Sequence, residues 1–195
     1  MRCVAVEDAW QRLASWCEHN APVTYGDLRP PASASDLAAA EEFFPRRWPD
    51  DLRRWYALQD GAEWQSSNSP LPCWRTLSLR ELTEQGPLLA SMYDGEEDLV
   101  GEGERNAAGT LAFVYLPSFV PIGEAIWASY LYVDTRPGPQ FGCVADHDRD
   151  EGASRDPKWA SVTAMLEDVA AALEADEPCD GWRPTVEDGR LSWGR

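Results

Sequence analysis

Long apolar runs are missing from this 195-residue sequence, and polar residues interrupt every hydrophobic stretch. None approaches the roughly 18 consecutive apolar residues that a membrane-spanning helix needs. The amino terminus meets acid at Glu7 and Asp8 before an apolar segment of signal-peptide length develops. We therefore expect a cytoplasmic, soluble protein with no membrane partner.

Cations are scarce. The chain holds 17 Lys and Arg residues against 34 Asp and Glu residues, which gives a formal net charge of −17. Lys158 is the only lysine. Nucleic-acid binding requires a basic face, so the charge argues against nucleic acid as a partner. An acidic surface favours solubility and can also steer a basic protein into contact, and charge alone leaves both interpretations open.

Metal-site and disulfide patterns are also absent. The five cysteines include no C-x-x-C pair, so we expect reduced thiols and no thiolate zinc site. His147 lies among Asp146, Asp148 and Asp150, which match the first ligand offsets of a calcium loop. Gly152 comes one place late and no Glu stands at the twelfth position. We expect a solvated loop there, with no metal and no cofactor.

Catalytic motifs are missing too: there is no G-x-S-x-G, no Walker A loop and no G-x-G-x-x-G. The prediction is that the protein is not an enzyme. An enzyme acting on a small molecule stays an alternative, and it would require a deep polar pocket with shifted pKa values.

The first half of the chain predicts helices. A helix over residues 8–20 carries apolar side chains on one side, namely Trp10, Leu13, Trp16 and Cys17. Residues 22–31 are expected to form a connector, after which Ser33 or Ser35 can cap a second helix. A third follows the spacing of Leu52, Trp55, Tyr56 and Gln59, and Gly61 is expected to stop it.

The second half predicts strands, then one more helix. We place strands at residues 74–79, 111–116, 129–134 and 141–145, the last two as a hairpin, with a short helix at 80–84. Pro117 and Pro121 are expected to bound an irregular piece, followed by a turn at Gly123–Glu124. Apolar residues at spacings of 3 and 4 predict the closing helix: Trp159, Val162, Leu166, Val169 and Leu173. The tail, residues 178–195, is expected to form a small hairpin around Asp188–Gly189.

This order of elements predicts an α+β fold with a mainly antiparallel sheet flanked by helices. The length fits one domain over residues 1–195.

Several motifs occur in an order that resembles the SMI1/KNR4 family, also called the SUKH superfamily. The first half has W-x-x-L-x-x-W at residues 10–16, Pro-Ala-Ser at 31–33, Glu41, L-R-x-W-Y at 52–56 and Asp-Gly at 60–61. The second half adds Trp74, Leu-Pro at 116–117, Pro-Ile-Gly at 121–123, L-Y-V-D-T-R-P-G-P at 131–139, G-x-V at 142–144 and the helix led by Trp159. The resemblance covers roughly residues 8–175 and implies a twisted sheet flanked by helices.

The resemblance also implies a protein-binding function, because bacterial members of this family often resemble immunity proteins that neutralise toxins. Combined with the charge, it favours an acidic domain that occludes a basic toxin, for example a nuclease. An intracellular regulatory or scaffold module of the same family is the alternative.

The acidic insert at residues 94–104 is the first choice for the contact surface and is expected to be a mobile loop. The residues predicted to bind the partner are Trp64, Tyr93, Asp94, Glu96, Glu97, Asp98, Glu102, Glu104, Asp146 and Asp148. Trp64 is included because it lies in a polar segment, where an aromatic side chain can anchor an interface.

Overall fold

The computed structural model describes residues 5–63, 70–125, 129–148, 152–153 and 156–195. The helices in these ranges are α1 (Val6–Asn20), α2 (Pro22–Gly26), α3 (Ala34–Phe43), α4 (Asp50–Tyr56), α5 (Leu79–Ser91), α6 (Glu97–Arg105) and α7 (Val162–Ala175). The strands are β1 (Arg75–Thr76), β2 (Phe119–Glu124), β3 (Tyr130–Asp134), β4 (Val144–Asp148), β5 (Gly152–Ala153), β6 (Arg183–Glu187) and β7 (Arg190–Gly194).

The first five strands form one antiparallel sheet in the order β1-β2-β3-β4-β5, and β6 pairs with β7 in a separate hairpin. The predicted α+β class with an antiparallel sheet is confirmed. The hairpin expected in the tail, the strand at β3 and the helices at α1 and α7 are confirmed with it. The expectation of one domain over the whole chain stays a prediction.

The two faces of the sheet bury two different apolar clusters, because side chains alternate along a strand. On β3, Leu131 and Val133 face the main cluster, which also contains the inner sides of α1, α4 and α7. Tyr132 faces the second cluster, where its ring stacks on Phe119 at a centroid distance of 4.0 Å. The sheet therefore lies between two apolar clusters, one on each of its faces.

Helices α1, α4 and α7 are joined by specific contacts as well as by apolar packing. The rings of Trp10 and Trp55 meet edge to face with centroids 6.5 Å apart. The Asp51 carboxylate accepts a 3.0 Å hydrogen bond from the backbone N–H of Thr163, at the start of α7. This contact satisfies an amide that the helix itself leaves without a partner.

Two expectations about the first half are wrong. Residues 22–31 contain helix α2, because Pro22 suits a first helical turn and the Thr24 hydroxyl accepts a 2.9 Å bond from the N–H of Leu191 in the terminal hairpin. Gly61 does not stop α4, which ends at Tyr56. Gly61 has φ +74°, and a Cβ there would lie 2.5 Å from the Ser78 nitrogen, so glycine is needed for close backbone approach.

The strand expected at residues 111–116 is also wrong. That segment has no regular structure, yet Val114, Tyr115 and Leu116 are buried in the second cluster. In this segment the residues at odd and at even positions are both apolar. Such a run indicates burial on all sides and does not by itself specify a strand. The strand lies further along, at β2, where an irregular piece and a turn were expected. Its pairing with β3 shifts register between Pro121 and Gly123, a bulge that accommodates the missing proline N–H.

Helix α5 is longer than the predicted 80–84. It begins with a capping box, in which the Ser78 hydroxyl accepts from the Glu81 N–H and the Glu81 carboxylate accepts from the Ser78 N–H. It continues through Pro87 because its apolar stripe, which includes Leu82 and Leu89, is buried against the core. Tertiary packing here outweighs the low helix propensity of proline.

Candidate protein-binding face

The acidic insert forms helix α6, which corrects the expected mobile loop. The helix packs through Gly103, where a Cβ would lie 2.8 Å from Leu116 Cδ2, so the absent side chain allows close contact with the second cluster. Glu97 and Asp98 occupy its first turn, where the positive end of the helix dipole stabilises carboxylates. The negative charge of this segment is thus held on a packed helix.

A buried ion pair fixes the carboxyl end of α6. Arg136 and Asp134 are 0% and 1% exposed, and Arg136 Nη2 lies 2.7 Å from Asp134 Oδ2. Arg136 Nη1 donates to the carbonyl oxygen of Gly103 at 2.9 Å, and Nη2 donates to that of Thr110 at 2.7 Å. The Asp134 carboxylate also accepts from the Gly109 N–H at 2.9 Å. One guanidinium therefore links β3, α6 and the segment that follows α6.

Glu104 has a structural environment that differs from the other predicted acids. Its Oε2 lies 3.0 Å from Arg46 Nη2, and its Oε1 accepts a 2.9 Å bond from the Ser118 N–H. Its carboxylate is thus shared between a cation and a backbone donor. Substituting it would disturb the packing of α6 as well as its charge.

The remaining acids of the insert are exposed: Asp94, Glu96, Glu97, Asp98 and Glu102. Residues 92–104 include no Lys or Arg. Like charges held this close together raise the local negative potential, since the Debye length at physiological salt is roughly 8 Å. The surface of α6 and of the turn before it is suited to a cationic protein surface.

Tyr93 is half-buried beside this helix and contacts a buried histidine. Its hydroxyl lies 3.4 Å from His147 Nε2, and the His147 ring meets Tyr115 edge to face at 5.4 Å. His147 is 3% exposed on β4, so the expected solvated loop at this position is wrong. Burial lowers the pKa of His147 to about 4, although the neighbouring carboxylates of Asp148 and Asp146 act in the opposite direction.

Asp146 and Asp148 alternate with His147 on β4, so they point to the opposite face of the sheet. Asp146 Oδ2 lies 3.5 Å from Lys158 Nζ, and the Asp148 carboxylate accepts a 2.8 Å bond from the Ser129 hydroxyl. The structure therefore does not bring these two acids together with those of α6. Asp150 lies outside the described residues, and so does Trp64.

Within the described ranges, no three His, Cys, Asp or Glu side chains are grouped so as to hold a metal ion. The same ranges contain no helix with the length and apolar character needed to cross a membrane.

Three apolar side chains at the end of α5 and on α6 are exposed, and the sequence did not predict them. Leu88 and Met92 are 59% and 48% exposed, and Leu99 is 39% exposed. The signal for the first two is helical spacing: they are four residues apart, off the buried stripe of α5. It was hidden because the predicted helix ended at residue 84.

Comparison with models of protein families identifies the family of this chain. No curated protein matches the chain. The model of the SMI1 / KNR4 family (SUKH-1) matches residues 31–168, more than half of the sequence and all of the segment from α3 to β4 described above. Its range contains the acidic helix, the buried ion pair and the antiparallel sheet, so this chain belongs to the SMI1/KNR4 (SUKH-1) family.

Proposed function

We propose that the protein is an immunity-type domain that binds a basic toxin, such as a nuclease, and occludes it. SUKH domains are commonly immunity proteins, and the family is generally non-enzymatic and typically binds protein partners. The observation that carries the proposal is the set of exposed carboxylates within residues 92–104, which hold no Lys or Arg and lie ahead of Arg105, the last residue of α6.

The proposed mechanism is electrostatic occlusion. A nuclease carries Lys and Arg at its active site to bind phosphate, and carboxylates fixed on a helix place negative charge where the substrate phosphates would lie. Charge pairing of this kind gives fast association that falls steeply with ionic strength. The anchoring of α6 by Gly103 and Arg136 supports it, because fewer side chains and backbone torsions then have to be ordered on binding.

The test is capture of partners from the native host lysate on the immobilised protein, at low and high salt, with identification by mass spectrometry. We expect one dominant basic protein that is released as salt rises. That protein, expressed alone, should arrest growth, and co-expression with this chain should restore growth. Several partners that are insensitive to salt and not toxic would contradict the proposal and favour a scaffold.

Two matched variants locate the binding face. The α6 variant replaces Glu96, Glu97, Asp98 and Glu102 by serine, and leaves Glu104 because of its bonds to Arg46 and Ser118. The control variant replaces four exposed acids elsewhere, namely Glu18, Glu42, Glu177 and Glu187. Both lose four negative charges, so equal slowing of association in the two variants would assign the effect to net charge and would remove α6 from the interface.

A further inference from the structure

Exposed apolar side chains border the acidic helix on the side where α5 ends. Leu88 lies near the end of α5, and Met92 is the C-cap residue of that helix with a helical backbone conformation. The two are therefore neighbours on one side of the helix end, because residues four apart lie about 6 Å apart on a helix surface. The chain then turns through Tyr93 and Glu96, whose N–H donates to the Tyr93 carbonyl at 3.0 Å, and enters α6, where Leu99 is 39% exposed. Acids lie between Met92 and Leu99 along this path: Asp94, Glu96, Glu97 and Asp98.

These side chains are not required to fill the core. The inner sides of α5 and α6 supply Leu89 and Val100 to the second cluster, and Tyr93 joins it from the turn between them. Ala112, Val114 and Leu116 complete this cluster. Leu88 and Met92 are instead about half exposed. Interfaces commonly combine an apolar centre with a polar rim, and the centre supplies most of the binding energy.

We propose that Leu88, Met92 and Leu99 form the apolar centre of the docking face, and that the acids of residues 94–102 form its rim. The occupant is a basic protein surface that presents apolar side chains between its Lys and Arg residues. This inference rests on the proposed function and specifies it further. The apolar centre is expected to set the dissociation rate of the complex, and the acids are expected to set the association rate.

Charge complementarity selects this occupant. A second copy of the chain would bring an identical acidic rim against the first, since a two-fold interface contacts itself with the same patch. The resulting like-charge contact is unfavourable. A lipid surface with anionic headgroups is disfavoured for the same reason. A cationic protein surface with apolar residues satisfies both parts of the face.

The test uses two synthetic helical peptides that carry the same number of lysines. One has a leucine stripe between the lysines, and in the other serine replaces every leucine. Binding of each peptide to the full chain is measured by biolayer interferometry in low salt. We expect the leucine peptide to bind about tenfold more tightly or better, which corresponds to about 1.4 kcal/mol, through slower dissociation.

The double variant Leu88→Ser/Met92→Ser should lose this difference while the serine peptide binds as before. The control Tyr25→Ser/Phe43→Ser removes two exposed apolar side chains elsewhere and should keep the difference. Thermal unfolding of each variant verifies that the fold is intact. Equal affinity for the two peptides, or a difference that survives Leu88→Ser/Met92→Ser, would overturn the apolar centre.

The same data separate this inference from the proposed function. If both peptides bind equally and the α6 variant weakens both, the acidic face holds and only the apolar centre fails. If neither peptide binds, or if the α6 variant binds both as well as the wild type does, both proposals fail. A dimer in analytical ultracentrifugation that Leu88→Ser/Met92→Ser dissociates would assign the face to a second copy and overturn the stated occupant.

Discussion

At the scale of single residues, Arg136 has the most demanding environment in the described part of the chain. It is 0% exposed, and its charge is matched by Asp134, by the carbonyl oxygens of Gly103 and Thr110, and by the face of Phe119 at 5.1 Å. A buried ion pair is favourable only when its remaining donors and acceptors are satisfied, and here the surrounding backbone does so. The pair therefore acts as a structural joint, by which we mean that it holds β3, α6 and the segment after α6 together.

Replacing Arg136 by methionine should destabilise the protein by about 3–5 kcal/mol, because Asp134 would stay buried without its cation. Urea unfolding followed by tryptophan fluorescence measures the change. Arg80→Met is the control, since Arg80 pairs with Glu84 on the exposed surface of α5 and its loss should leave stability nearly unchanged. A similar small change in both variants would contradict the assignment of Arg136 as a joint.

His147 predicts a specific pH dependence. Its pKa in the folded protein is lowered to about 4 from 6.5, so between these values the unfolded chain binds more protons than the folded one. Stability from the neutral imidazole is complete above pH 6.5 and is lost as pH falls toward 4, by an amount on the order of 3 kcal/mol.

The measurement is the free energy of unfolding between pH 7 and pH 4 for the wild type and for His147→Gln. Other groups also titrate in this range, including Glu81, whose pKa is lowered on balance: burial acts to raise it, and the hydrogen bonds from Ser78 and the charge of Arg75 outweigh that effect. Their contribution is common to both proteins and cancels in the difference. Parallel pH curves for the two proteins would show that His147 is not the group that titrates.

At the scale of elements, α6 illustrates how packing selects a helix in a sequence of glycine and acid. Val100 and Gly103 fall on the side that meets the second cluster, and Gly103 contacts Leu116. Acids alone predict solvation, so the helix depends on apolar contacts with segments distant in sequence. Its stability is therefore linked to the joint at Arg136.

Gly103→Val should detach α6, because the new side chain would overlap Leu116. Hydrogen exchange in residues 97–105 should accelerate while that of α7 stays unchanged. Gly101→Ala is the matched control: its Cβ would meet only the end of the Arg105 side chain at 3.3 Å, and alanine favours a helix over glycine by about 1 kcal/mol. Fast hydrogen exchange throughout residues 97–105 in the wild type would contradict the helix and support the mobile loop expected from the sequence.

At the scale of the whole molecule, the net charge of −17 sets both stability and association. Self-repulsion opposes the compact state, and salt screens it, since the Debye length falls from roughly 30 Å at 0.01 M to roughly 8 Å at 0.15 M. The crowded acids of α6 concentrate this repulsion in a short segment.

Sodium chloride should therefore raise the free energy of unfolding at pH 7 between 0.01 M and 0.15 M. The α6 variant with four serines should show a smaller rise than the control variant with serines at Glu18, Glu42, Glu177 and Glu187. Urea unfolding at each salt concentration measures it. A rise of the same size in both variants would mean that net charge matters and the crowding on α6 does not.

The sequence alone is enough to specify elements whose signals are local. Helices α1 and α7 follow from apolar spacing and the terminal hairpin follows from Asp188–Gly189, because each depends on neighbours within a few residues. For α3 the sequence left Ser33 and Ser35 open as caps, and the structure selects Ser33. The sequence also determined the acidity, and the order of its motifs indicated the family that the family model confirms.

Other features depend on partners that are distant in the sequence and become visible only in the packed fold. Strand β2 runs through Pro121 because a bulge against β3 accommodates it, and residues 111–116 stay irregular although they are buried. Helix α6 needs Leu116 and Arg136, and the sheet places Asp146 on the face opposite to His147. Spacing along the chain specifies which residues are apolar or charged, but only the packed sheet decides which of them share a surface.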